Sequence, residues 1–155
     1  MTQIESTTRT TVTVRGFASD SRRLAGTLFL VLAAQFLTVV MLAAAMVPGY
    51  DFRGGAISDL GVVPRTALLF NASLVVLGLL NVLGGYLFYR THGKRWILAV
   101  FALAGVGAVG AGLFPLDAGD LHGLFALLGF VFFNLQALAS ATRLSGAMRL
   151  LSVVA

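Results

Sequence analysis

Four long apolar runs, each free of Lys, Arg, Asp and Glu, divide this chain: Leu24 to Val47, Thr66 to Tyr89, Trp96 to Phe114 and Leu121 to Ala141. Their lengths of 24, 24, 19 and 21 residues match the roughly 20 residues that a helix needs to cross the hydrocarbon core. Strict two-residue alternation in ten-residue blocks is missing, so an outer-membrane barrel is not the solution to the backbone problem in lipid. The pattern predicts an all-α integral membrane bundle of four antiparallel transmembrane helices in up-down order. The expected division is a tail over 1–23, a four-span membrane domain over 24–142, and a short segment over 143–155.

The connections sharpen this picture. Arg90 to Arg95 and Pro115 to Asp120 are short enough to force their flanking helices side by side. The loop from Pro48 to Arg65 is longer; Gly54 and Gly55 permit a tight turn in it, and Ser58 is placed to cap the segment after it. Residues 1–23 are rich in Thr and Ser with mixed charge, the composition of a disordered tail. The first run exceeds the roughly 7 to 15 apolar residues of a signal-peptide core, so it reads as an uncleaved anchor. The final residues read either as an interfacial turn, with Leu144, Met148, Leu151 and Val154 at amphipathic spacing, or as the start of a fifth span.

Helical phasing then assigns inward faces. On the third helix Ala104, Ala108 and Gly112 lie four apart with Gly105, Gly107 and Gly110 beside them, a surface that lets neighbouring helices approach closely, so this helix is expected at the centre. Asn71, Gly78, Asn81 and Gly85 form one stripe on the second helix. His122, Ala126, Gly129, Phe133, Gln136 and Ser140 form another on the fourth. On the first, Thr27, Thr38 and Ala45 align, with Gln35 at their edge. The intramembrane polar residues Gln35, Asn71, Asn81 and Gln136 read first as interhelical hydrogen-bonding groups, each bond contributing about 0.6 to 2 kcal/mol, and second as the lining of a transport path.

Hydrophobic residues are 58% of the 155 and charged ones 11%, against about 25% charged in a soluble domain. The net charge of +5 matters less than its placement. Nine of the eleven cations precede the first span, join the second to the third, or follow the fourth; Arg53 and Arg65 are the exceptions. The positive-inside bias therefore predicts a multi-pass protein of the cell membrane with both termini cytoplasmic, and leaves no need to invoke nucleic acid. The partners expected are the lipid bilayer, and a second copy of the chain or a membrane partner protein.

Four of the six acids fall in the two connections opposite the basic side. Acids beside a span are costly unless they meet water or a partner, so Ser58, Asp59, Asp117, Asp120 and His122 are the candidate binding residues. Asp59, Asp120 and His122 are the candidate ligands for a divalent metal, because carboxylate and imidazole hold such cations and exchange protons near neutral pH. The competing reading is structural: Asp59 and Asp120 precede the second and fourth helices and could cap them, with Arg53 and Arg65 as counterions. No cysteine is present, which excludes disulfides, thiolate metal sites and iron-sulfur clusters. A bis-histidine haem is also not expected, since His92 and His122 fall at opposite ends of the bundle.

The stretch Ile57-Ser58-Asp59-Leu60-Gly61 after Pro48, together with Phe114-Pro115, Asp117 and His122-Gly123, resembles the domain-of-unknown-function 998 family of prokaryotic membrane proteins. A more distant likeness is to Frag1/DRAM-type membrane proteins, which have a similar Ile-Ser-Asp loop after their first span. The resemblance implies a multi-spanning membrane protein, usually longer and with additional spans, and singles out Ser58, Asp59, Asp117 and His122; it implies no activity. The function these readings support is binding of a cation, lipid headgroup or partner protein at an acidic outer face. A metal-assisted hydrolase acting on lipid and a small transporter are the alternatives, and whether the chain is an enzyme stays open.

Overall fold

A computed structural model describes the backbone of residues 2–154 and the side chains of residues 20–154. Among the described residues five helices form: α1 (Thr2–Met46), α2 (Ala67–His92), α3 (Arg95–Leu113), α4 (Asp120–Ala141) and α5 (Gly146–Val154). Single 3-10 turns at Ile57–Gly61 and Leu116–Ala118 occupy the α1–α2 and α3–α4 connections, and there is no strand among the described residues. Four segments are long and apolar enough to cross a membrane: Asp20–Met46, Ala67–His92, Arg95–Leu113 and Asp120–Ala141. The shortest has 19 residues, about 28 Å at 1.5 Å per residue, close to the roughly 30 Å hydrocarbon core.

Each helix ends for a local reason. Polar residues do not stop α2, which runs on through Arg90 to His92 until Gly93 takes a left-handed φ of 71° and donates its N–H to Tyr89 O at 2.7 Å, a geometry that suits glycine. α3 stops at Leu113; Phe114, the residue before Pro115, leaves helical geometry with φ −117° and ψ 85°, as the proline ring requires of its predecessor. The α1 backbone is helical back to Thr2, through a stretch expected to be disordered. Extending an existing helix costs far less than starting one.

α1 packs on α2, α2 on α3 and α3 on α4, whereas α1 and α4 hardly touch. Half of the α3 span is buried, against 17% of α4, so α3 takes the enclosed position its small residues predict. The reason is close backbone approach. A Cβ on Gly105 would lie 2.6 Å from Gly78 O, and one on Gly112 would lie 2.6 Å from Asn71 O, so α3 sits directly on the α2 main chain.

The α2 and α4 stripes face inward as phased, with Gly78, Asn81, Gly85, His122 and Gly129 all buried. The α1 stripe does not. Thr27, Thr38 and Ala45 point outward, and Ala25, Leu32, Val40, Ala43 and Ala44 are the buried face. With apolar residues all round α1, a pair of threonines was too weak a signal to fix its rotation. Three apolar clusters succeed one another down the bundle: Val40, Ala43, Ala44, Leu60 and Phe70 at one end, Leu32, Leu77 and Ala108 in the middle, and Phe88, Ile97, Phe101 and Ala139 at the other.

Candidate functional site

The end of the bundle that carries the acidic connections is built around a leucine. Leu60 is fully buried and joins the cluster of Val40, Ala43, Ala44 and Phe70, so the Ile57–Gly61 turn is plugged between α1 and α2. Its carbonyls are tied from below. Thr66, also fully buried, donates its hydroxyl to Leu60 O at 2.8 Å, and the Asn71 amide donates to Gly61 O at 2.8 Å. Gly61 has no room for a side chain, since a Cβ there would lie 2.6 Å from Asn71 Oδ1.

The acids of this loop are occupied locally. Asp59 Oδ2 accepts the Ala56 N–H at 2.8 Å, capping its own 3-10 turn, and α2 is instead headed by Thr66 without a side-chain cap. Asp51 Oδ1 accepts the Arg53 N–H at 2.9 Å. Tyr50 donates to Ala56 O at 3.0 Å; burial, and secondarily the negative charge of Asp59, raise its pKa above the ordinary phenol value, so it keeps the proton this bond needs. Ser58 is half-buried and makes no capping bond.

On the other connection His122 is 6% exposed and its Nδ1 lies 2.8 Å from Phe114 O. A carbonyl only accepts, so Nδ1 carries the hydrogen and the imidazole ties the start of α4 to the end of α3. Asp117 and Asp120 are exposed, and α4 begins without a side-chain cap. The two 3-10 turns touch, so the acidic connections do share one rim. Among the described residues, however, no three His, Asp or Glu side chains form a group that could hold a metal ion. Asp59, Asp120 and His122 are not gathered into such a group.

Inside the bundle the expected amides do meet. Asn81 on α2 is fully buried; its Nδ2 donates to Gln136 Oε1 on α4 at 3.0 Å and to Phe101 O at 2.9 Å, while Gln136 Nε2 returns a bond to Asn81 Oδ1 at 3.1 Å. Gln35 is the incomplete member. Its Nε2 reaches Ser73 O at 3.5 Å and its buried Oε1 has no partner.

The Asn81–Gln136 pair lies on the wall of a cleft of about 590 Å³. One wall is α1 at Arg22, Gly26, Phe29 and Leu32; the opposite wall is α4 at Phe133 and Ser140. The end of α2 contributes His92, the turn after α4 contributes Arg143, and α5 contributes Met148 and Ser152. The cleft exists because α1 and α4 do not close on each other. It is invisible in the sequence for the same reason: composition shows which helices are apolar and not which neighbours are left apart. The available signal was that Arg22, His92 and Arg143 fall on one side of the spans, with Asn81, Gln136 and Ser140 on inward stripes.

These features define a helical protein with four segments long and apolar enough to cross a membrane and a cleft bordered by Arg22, His92 and Arg143. The model of the family described as "Protein of unknown function (DUF998)" matches residues 15–155, and the chain belongs to that family. No curated protein and no solved structure matches the chain, so the Frag1/DRAM likeness has no counterpart there.

Proposed function

We propose that this chain is a membrane binding protein that takes an amphiphilic ligand in the cleft between α1 and α4. The observation that carries the reading is the cleft itself: about 590 Å³, within the range of roughly 300 to 1,000 Å³ typical of small-ligand pockets. Its walls are mostly apolar, and its polar lining includes the Asn81–Gln136 pair and the basic side chains Arg22, His92 and Arg143. Such a ligand would lay its chain against Phe29, Leu32 and Phe133 and leave its polar part beside Arg22, His92 and Arg143.

Gly26 provides the test, because it borders the cleft and a Cβ there meets nothing within 4 Å. Gly26→Phe is expected to fold normally, since phenylalanine is a better helix former than glycine by about 0.5 kcal/mol. The variant should lose most of the lipid that native mass spectrometry finds on the wild-type protein released from mild detergent. A full lipid complement on the variant would overturn the reading.

The acidic rim supports a second reading, binding of a cation, a lipid headgroup or a partner protein, because the two 3-10 turns touch and Asp117 and Asp120 are exposed beside them. In sealed proteoliposomes, cysteines at Ser58 and Thr91 are expected to label from opposite sides. Millimolar calcium on the Ser58 side should slow labelling there, and should cease to do so when Asp117→Asn and Asp120→Asn are combined. Labelling indifferent to calcium in the parent would remove this reading, and labelling of both cysteines from one side would remove the expected orientation.

A further inference from the structure

We infer that the ligand of the α1–α4 cleft is an anionic phospholipid, its phosphate held at the basic mouth by Arg22 and Arg143. This rests on the cleft being a ligand site at all, and adds the chemistry that selects the ligand.

The charge of the lining is one-sided. Two guanidinium groups, Arg22 from α1 and Arg143 from the turn after α4, border the cleft, and no Asp or Glu among the described residues does. Asp20 is the one acid among the side-chain-described residues at this end, and it is exposed and outside the lining. Guanidinium is weakly hydrated and presents a planar fork that matches phosphate oxygens, so a pair of arginines on facing walls suits a phosphodiester. His92 adds a fixed acceptor. Its Nδ1 lies 3.0 Å from Phe88 O and its ring stacks on Phe88 at 4.1 Å between centroids; the carbonyl fixes the hydrogen on Nδ1 and leaves Nε2 to accept from a headgroup hydroxyl.

The apolar part of the cleft argues for a lipid over a free anion. Phe29, Leu32, Phe101 and Phe133 line it below the arginines, and a small hydrated phosphate would leave that surface uncovered. An acyl chain covers it, and the opening between α1 and α4 lets the chain enter from the side. Elsewhere on the lining the Asn81 and Gln136 amides bond to each other, and Asn81 also donates to Phe101 O, so both Asn81 donors are already engaged within the protein.

The experiment compares the wild-type chain with Arg22→Gln/Arg143→Gln, and with Arg95→Gln as a control cation that does not line the cleft. Each is reconstituted with equal dioleoylphosphatidylglycerol and dioleoylphosphatidylcholine and released for native mass spectrometry. Wild type is expected to retain the glycerol lipid over the choline lipid by about thirtyfold, from about 1 kcal/mol for each of the two arginines at a membrane surface. The double variant should retain both equally with an unchanged melting temperature, and Arg95→Gln should behave as wild type. A wild type without preference, or Arg95→Gln losing as much as the double variant, overturns the proposal. So does inorganic phosphate at millimolar concentration displacing the lipid, which would mark a free-anion site. Lipid that Gly26→Phe displaces without regard to headgroup sinks this inference alone, whereas lipid that Gly26→Phe fails to displace sinks the cleft reading beneath it.

Discussion

Gly107→Leu is expected to be the most damaging single substitution in this protein, leaving little folded, monodisperse material in detergent. A Cβ on Gly107 would press on Gly129 N, lie 2.5 Å from Gly129 Cα and 2.9 Å from Phe125 O. All three atoms are main chain of α4, which cannot turn aside as a side chain can, so α3 and α4 would have to part along their length. Gly107→Ala should lower stability by about 1 to 3 kcal/mol, the usual cost of forcing one extra carbon into a packed interface. The reverse change is the control. A Cβ on Gly129 meets its nearest atoms, Ala108 N and Gly107 C, at 3.6 Å, an ordinary contact, so Gly129→Ala should be nearly neutral. Thermal unfolding of the three variants checks the order, and a Gly107→Leu protein that melts with the wild type would refute this account of α3–α4 packing.

The second large effect is expected at Asn81. Replacing it with Leu removes the two bonds shared with Gln136 and leaves that amide facing an apolar wall, at a cost of about 1 to 2 kcal/mol. Gln136→Leu alone should cost a similar amount, because it strands Asn81, which is fully buried. The combination Asn81→Leu/Gln136→Leu removes both partners and should recover most of the loss, since two apolar groups in place of a bonded pair leave nothing unsatisfied. A double-mutant cycle on unfolding free energy measures this directly. Simple additivity of the two single losses would show that the amides do not act as a pair.

The spans were readable because lipid imposes a strong composition on whatever crosses it. The run from Thr66 to Tyr89 corresponds to Ala67–His92, and the run from Trp96 to Phe114 to Arg95–Leu113. The slippage falls at helix ends, where Arg90 and His92 extend α2 into the polar zone before Gly93 ends it. Contacts between helices were readable where small or polar residues repeat at helical spacing, as for Gly107, Asn81 and Gln136. Rotation of α1 was not, because its inward and outward faces are almost equally apolar.

In Ile57-Ser58-Asp59-Leu60-Gly61 the acid attracts attention. The residue that holds the turn in place is Leu60, buried beneath it, with Thr66 and Asn71 bonding its carbonyls from positions further along the chain. Asp59 was expected to cap α2 and caps its own short turn, a distinction that depends on a single 3-10 turn intervening before Thr66. His122 was placed correctly on the inward face of α4, and its observed partner is the Phe114 carbonyl.

The gap between α1 and α4 also bears on how occupancy should be measured. A lipid that reaches the cleft sideways remains in the bilayer throughout, so its chemical potential is set by its share of the membrane's lipids and not by any amount dissolved in water. Saturation of such a site is a function of mole fraction. It would hold steady as total lipid is varied at fixed composition, and change when the composition of the membrane changes.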